Sequence, residues 1–371
     1  MANQQNKQSA VKRIIVTGGG TGGHIFPAIA IANAIREINA DVEILFVGAK
    51  GKMEMEKVPQ AGYKIEGVDI AGFNRSAIWK NYALPFKLIK SYFQVKKIFK
   101  EFQPDAVIGV GGYASFPVVQ YAQSKKIKSF IHESNSFAGK SNIILGKKAT
   151  TVYVASKGME KFFPAEKIKV TGNPVRKNIK TGLVDRAQAL EFFDLSADKK
   201  TVFVTGGSLG AKTINEAIAD QIDLFKKEDV QLIWQTGKLF AATAAAYAVD
   251  NKNIWVNSFI SNMEMAYAAA DIVVSRAGAM ACAELAVMGK PVIFVPYPHA
   301  AEDHQTKNAQ NYVEQQAAQM IPDYLAKEFL VPKVIELLKD EAARAMMKQN
   351  IKTLAITDAD QEIARDILDK I

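Results

Sequence analysis

Short apolar runs recur along the chain, separated by segments of helical spacing and by polar turns. In the first half the runs predict strands at Arg13–Thr17, Val42–Val47, Lys64–Val68, Ala106–Val110, Ser129–Ile131, Thr151–Val154 and Lys167–Thr171. A second series predicts Thr201–Thr205, Val230–Trp234, Ile254–Val256, Asp271–Ser275, Pro291–Val295 and Ala318–Ile321. Several runs are apolar at consecutive positions, the pattern of parallel strands covered on both faces. Helical segments between them fit right-handed crossovers, so the predicted class is α/β.

Two strands, one in each half, run into glycines. Arg13–Thr17 leads to Gly18-Gly19-Gly20-Thr21-Gly22-Gly23-His24 and a small-residue helical segment, with Pro27 placed near the helix start, where a missing N–H costs nothing. Thr201–Thr205 leads to Gly206-Gly207-Ser208-Leu209-Gly210-Ala211, where a helix is expected to open directly after Gly207. Each opening suits a phosphate or a developing oxyanion, because glycines admit close approach and a helix N-terminus offers free N–H groups. The repeated opening predicts two Rossmann-like domains facing each other across a cleft. Expected boundaries are a disordered tail at 1–10, an N-terminal domain at 11–177, a linker at 178–200 and a C-terminal domain at 201–358. The helix 359–371 is a candidate to pack on the N-terminal domain.

Composition narrows the class. At 371 residues the chain exceeds one typical core. No apolar run is long enough to span a bilayer, and the polar first ten residues lack a signal-peptide core. The single cysteine, Cys282, excludes an internal disulfide. The net charge of +9 is unevenly spread: residues 1–182 carry 28 Lys and Arg against 12 Asp and Glu, and residues 183–371 carry 19 against 26. The basic half is therefore the one expected to meet an anionic surface. The stretch Trp79–Lys100 interleaves aromatics with lysines; Trp79, Phe86, Lys87, Lys90, Phe93 and Lys97 are the candidates for contact with anionic lipid. No nucleic-acid-binding module is recognisable, so nucleic acid ranks below lipid.

Candidate chemistry clusters after strand ends. Gly18, Gly20 and Gly23 fit a dinucleotide fingerprint only when forced, and Val47-Gly48 stands where a ribose-binding acid is wanted, which argues against NAD. His24 sits at the mouth of the first turn, where a general base would be useful. Gly111-Gly112-Tyr113 forms a third glycine turn, expected beside the first. His132-Glu133-Ser134-Asn135 is read as following a strand. Ser275-Arg276-Ala277-Gly278-Ala279 precedes a helix carrying Glu284, whose carboxylate suits a ribose diol. In Pro296–Asn308, His304 and Gln305 suit sugar hydroxyls better than a metal, since no thiolate or helical histidine pair supports one.

Together with Gly172-Asn173-Pro174-Val175-Arg176 and Asp303–Ala309, these stretches resemble the MurG family of glycosyltransferase family 28, inverting N-acetylglucosaminyltransferases of peptidoglycan synthesis. The resemblance runs in order from the first strand to beyond residue 309. It implies the GT-B fold, UDP-GlcNAc as donor, no metal or other cofactor, and undecaprenyl-pyrophosphoryl-MurNAc-pentapeptide as acceptor. It also implies a peripheral position on the cytoplasmic leaflet, where cell-wall synthesis proteins are possible partners. It places uracil near the Ile260 backbone, ribose on Glu284, diphosphate on Ser208 and Arg176, GlcNAc on Asn135, His304 and Gln305, and the transferred sugar and acceptor beside Thr21, Gly22 and Gly23, with Ala279 a further substrate-binding residue. His24 is the first candidate for the base and Glu133 the second. A diacylglycerol glycosyltransferase and a UDP-GlcNAc 2-epimerase share the fold and remain competing readings.

Overall fold

A computed structural model of the chain describes residues 11–70, 84–180, 184–249, 251–300 and 303–371, and side chains from Ile89 in the helix Leu84–Phe102. The expected tail at 1–10 and Trp79 lie outside the described residues, as do the side chains of Phe86 and Lys87. The chain divides into two compact units. Unit 1 holds residues up to Ser134, Ala138–Pro174 and Asp358–Ile371; unit 2 holds Asn135–Phe137 and Val175–Thr357.

Unit 1 is built on seven strands: β1 (Arg13–Thr17), β2 (Glu43–Ala49), β3 (Lys64–Val68), β4 (Ala106–Gly109), β5 (Lys128–Glu133), β6 (Thr151–Val154) and β7 (Ile168–Val170). Their order is β3-β2-β1-β4-β5-β6-β7 and every pairing is parallel. Unit 2 repeats the scheme with β8 (Thr201–Thr205), β9 (Gln231–Gln235), β10 (Ile254–Asn257), β11 (Ile272–Ser275), β12 (Val292–Phe294) and β13 (Gln319–Met320), ordered β10-β9-β8-β11-β12-β13, again all parallel. In both sheets the strand order reverses beside the first strand, between β1 and β4 and between β8 and β11. Such a switch point is where open α/β sheets bind ligands, beyond the strands' C-terminal ends.

Strand periodicity explains the continuous apolar runs. Ile14 and Val16 pack on one face of the unit 1 sheet with Ile25, Ile31 and Ile35, while Ile15 faces the opposite core with Val95 and Val118. In unit 2, Val202 and Val204 enter one core and Phe203 the other. The C-terminal helix Ala359–Lys370 buries Ile363, Ala364 and Ile367 among the unit 1 residues. Asp366 fixes it there, accepting from the Tyr153 hydroxyl at 2.8 Å and from Lys169 at 3.3 Å.

The described parts of the stretch expected as a linker, 178–180 and 184–200, pack into unit 2. Ile179, Ala189, Leu190, Phe193 and Leu195 join its core, and Asp185 caps the helix Arg186–Phe192 by accepting from Ala187 N. Its polar residues suggested a linker because they outnumber the apolar ones, five of which are nonetheless buried in that core. Among the described residues, no helix is long and apolar enough to cross a membrane.

Candidate functional site

The unit 1 switch point carries two glycine turns side by side. The first joins β1 to the helix Gly22–Ile38, with Thr21 in extended conformation at its N-cap. The second, Gly111-Gly112, joins β4 to the helix Ser115–Ser124. Gly19 N donates to Gly111 O at 3.4 Å. A Cβ on Gly112 would lie 2.3 Å from Gly19 O, so the two turns can meet only as glycines.

His24 stands on the first turn of the helix, half-buried. Its Nδ1 lies 3.2 Å from Gly19 O and 3.5 Å from Thr21 Oγ1. A carbonyl can only accept, so Nδ1 carries the proton and Nε2 keeps its lone pair. Nε2 and Cδ2 lie against Gly111, where a Cβ would approach to 2.9 and 2.7 Å. Burial lowers the His24 pKa, opposed by the Glu133 carboxylate, the Gly19 bond and Glu54. The imidazole is therefore neutral near pH 7, as a base must be.

Pro27 is the sixth residue of this helix, inside it rather than at its first position. The helix starts earlier than composition suggested because Gly22 and Gly23 are helical. With no N–H on Pro27, Gly23 O loses its usual i+4 donor and becomes an acceptor beside His24.

His132 and Glu133 are the last two residues of β5, not residues beyond it. Glu133 is buried, and its Oε2 accepts from Gly139 N at 3.0 Å and Asn142 Nδ2 at 2.9 Å. Its carboxylate thus braces the loop after β5. His132 is buried between Gly172 O, 3.3 Å from Nε2, and Ser134 Oγ, 3.4 Å from Nδ1; burial lowers its pKa to about 4. Asn135 groups with unit 2, apart from the other three residues of its motif.

In unit 2 the helix after β8 begins at Lys212, not after Gly207. Gly207 and Gly210 take φ of +80° and +78°, and Gly210 N donates to Gly207 O, closing a turn that holds Ser208 and Leu209 outside the helix. A Cβ on Gly210 would lie 2.0 Å from Thr236 O, so the loop depends on that glycine. Gln235, buried at the end of β9, organises the site: Nε2 donates to Gly207 O at 3.0 Å and Thr205 Oγ1 at 3.1 Å, and Oε1 accepts from Ile260 N at 2.9 Å. The Ile260 N–H is thereby committed within the protein.

Glu284 lies on the helix Ala279–Met288, whose N-cap is Gly278. Its Oε1 receives Arg176 Nε at 3.0 Å and an Arg176 terminal nitrogen at 2.9 Å; Oε2 receives the Tyr267 hydroxyl at 3.1 Å. Sequence reading gave ribose to Glu284 and diphosphate to Arg176 separately. The structure pairs them, because an acid buried to this degree needs a cation. Burial opposes the Arg176 charge, and the Glu284 carboxylate together with Tyr267 and Glu264 more than offsets it. Asn308 is buried, donating to Ala277 O at 3.0 Å and receiving Ser136 Oγ at 3.4 Å. In the helix His304–Glu314, Gln305 Oε1 accepts from Tyr297 N at 2.9 Å, and His304 is half-buried at the first position. Arg276 anchors the neighbouring loop through Val295 O, Pro296 O and Asp323.

Sequence reading missed Glu54 and Gln235. Glu54 shares a helix face with buried Val58, four residues on, and that spacing was its available signal. Gln235 was signalled by a polar residue ending a buried strand before a glycine.

A family model described as the glycosyltransferase family 28 N-terminal domain matches residues 14–154, and one described as its C-terminal domain matches residues 201–363. Two curated relatives carry the name UDP-N-acetylglucosamine–N-acetylmuramyl-(pentapeptide) pyrophosphoryl-undecaprenol N-acetylglucosamine transferase. The one from Cytophaga hutchinsonii is 49% identical over 97% of this chain and 97% of its own. The one from Parabacteroides distasonis is 48% identical over 96% of this chain and 97% of its own. The crystal structure of Acinetobacter baumannii MurG matches with a TM-score of 0.72 at 29% identity, covering 97% of this chain and 100% of that one. The two parallel-sheet units are those of the GT-B class, and the chain belongs to the MurG family of glycosyltransferase family 28.

Proposed function

We infer that the chain transfers N-acetylglucosamine from UDP-GlcNAc to undecaprenyl-pyrophosphoryl-MurNAc-pentapeptide, a step of peptidoglycan synthesis. The observation that carries this reading is the 48–49% identity, over nearly the whole chain, to transferases named for it. It also disfavours the epimerase and diacylglycerol readings.

The mechanism follows from the two sites. The muramyl 4-hydroxyl attacks sugar C1 from the face opposite UDP, and the C1–O bond to the phosphate breaks, inverting the anomeric centre. The hydroxyl proton passes to His24 Nε2. Glu133 is the weaker candidate for that task, since Gly139 and Asn142 already occupy its Oε2. Its charge instead favours the imidazolium formed during transfer. The departing UDP gains negative charge, which the Ser208 and Leu209 backbone amides, the Ser208 hydroxyl and Arg176 stabilise. Ribose on Glu284 and diphosphate on Arg176 exchange one internal ion pair for two ligand contacts. The carbonyl of Ile260 reads uracil, its N–H being held by Gln235. Ala279 borders the nucleotide, Asn135, His304 and Gln305 contact GlcNAc, and Thr21, Gly22 and Gly23 flank the acceptor.

On the helix Leu84–Phe102, Ile89 and Phe93 are 59% and 62% exposed, with Lys90 and Lys97 on the same helix. This face rests on the anionic cytoplasmic leaflet, making the enzyme a peripheral membrane protein within reach of other cell-wall enzymes.

The test is His24→Ala, which lowers kcat by roughly 10²-fold or more while leaving donor affinity nearly unchanged. An unaltered kcat removes His24 from the role.

A further inference from the structure

Glu54 lies outside every motif described above, yet it is fully buried at the unit 1 switch point. It begins the helix Glu54–Gln60, shortly after β2. Its Oε2 accepts from Gly20 N at 2.9 Å and its Oε1 from Ala49 N at 3.0 Å. One carboxylate therefore ties the end of β2 to the first glycine turn.

The surrounding glycines make room for it. A Cβ on Gly19 would lie 2.2 Å from Oε1, and a Cβ on Gly48 would lie 2.6 Å from Cγ. Burying a carboxylate is costly unless its oxygens are satisfied. Two N–H donors aimed at two oxygens require an acid, because a glutamine would turn its own NH2 against one of them. The turn so held presents Gly19 O, the acceptor for His24 Nδ1.

We propose that Glu54 is the positioning residue of the transfer: by holding Gly20 and Ala49 it fixes the Gly19 carbonyl that keeps the proton on His24 Nδ1, leaving Nε2 open to the acceptor hydroxyl. Its negative charge also favours the imidazolium that forms as the proton arrives. The other groups that face His24 are the Thr21 hydroxyl on its own helix and Glu133 and His132 from β5. This deepens the reading of His24 as base and rests on it.

The experiment compares the full-length wild type with Glu54→Gln and Glu54→Asp. It measures kcat and KM for UDP-GlcNAc, the pH profile of kcat, and amide exchange across residues 18–21. For Glu54→Gln, kcat falls by roughly tenfold or more, KM is unchanged, the acid limb moves to lower pH, and exchange of the turn quickens. Glu54→Asp keeps the charge but cannot span both amides. Its acid limb stays in place while kcat falls to an intermediate value. A Glu54→Gln enzyme with wild-type kcat and an unmoved acid limb overturns the proposal. Should circular dichroism show that variant unfolded, Glu54→Asp decides: wild-type kcat and exchange overturn it, and reduced kcat with faster exchange supports it. Retained activity in His24→Ala refutes the base assignment separately, and the exchange data then still report whether Glu54 holds the turn.

Discussion

Gly111→Ala is a sharp perturbation of the proposed base, because it adds one methyl group against the His24 ring. The new Cβ would stand 2.7 Å from Cδ2 and 2.9 Å from Nε2. Carbon atoms pack best at about 3.5–4.0 Å, so ring or backbone must retreat by roughly 0.8–1.3 Å. A misplacement of about 1 Å in a catalytic group costs on the order of 10²-fold in rate. Gly111 also has φ of +101°, a conformation that costs an alanine about 1–3 kcal/mol. The expected outcome is a kcat lowered by roughly 10- to 100-fold, a lower Tm and a nearly unchanged Kd for UDP-GlcNAc, whose proposed nucleotide contacts, Ile260, Ala279, Glu284, Ser208 and Arg176, all lie in unit 2. The assay is initial-rate transfer at saturating donor, with calorimetric titration of the donor alongside. A folded Gly111→Ala enzyme with wild-type kcat would refute the placement of His24 Nε2 at the reacting hydroxyl.

Three further outcomes follow from particular contacts. Glu284→Gln weakens the ribose acceptor and the anchor of Arg176, raising the Kd for UDP-GlcNAc by roughly 10- to 100-fold; calorimetry reads it, and an unchanged Kd contradicts the assignment. His132 is held neutral by burial, its pKa lowered to about 4. The unfolded chain binds this proton first as pH falls, so its contribution is complete above pH 6.5 and is lost between 6.5 and 4. The loss is about 1 kcal/mol by pH 5.5 and about 3 kcal/mol below pH 4. Urea unfolding of wild type and His132→Gln at pH 7.5 and 5.5 checks it: the variant shows the smaller pH dependence. Phe93→Glu places a charge on the exposed face of the helix Leu84–Phe102 and reduces co-sedimentation with anionic vesicles several-fold, leaving donor binding intact; unchanged sedimentation removes that face from the membrane contact.

Much of this architecture was legible because parallel strands buried on both faces write themselves as apolar runs. Ile14, Ile15 and Val16 serve two cores in three consecutive positions. The adjacency of the Gly19 and Gly112 turns followed from their strands ending at the same sheet edge. Long-range pairings were hidden. Arg176 and Glu284 are 108 residues apart, and each read sensibly as a ligand contact on its own. Glu54 and Glu56 are two acids on one short helix, yet Glu56 is exposed and Glu54 is not, and composition does not distinguish them. The delayed helix at Lys212 arose from two glycines with positive φ, a conformation composition permits without requiring. The segment 178–200 looked like a tether because its few buried apolar residues, such as Ile179, Leu190 and Phe193, are scattered among charged ones.

The central claim is transfer between UDP-GlcNAc and the muramyl lipid. It is tested most directly by incubating the purified chain with sugar-labelled UDP-GlcNAc and that acceptor in the presence of EDTA, then following label and linkage. Label is expected to enter the lipid fraction as a β-linked disaccharide, with one UDP released per sugar. Label left in a soluble hexosamine, an α linkage, or a rate abolished by the chelator would contradict it.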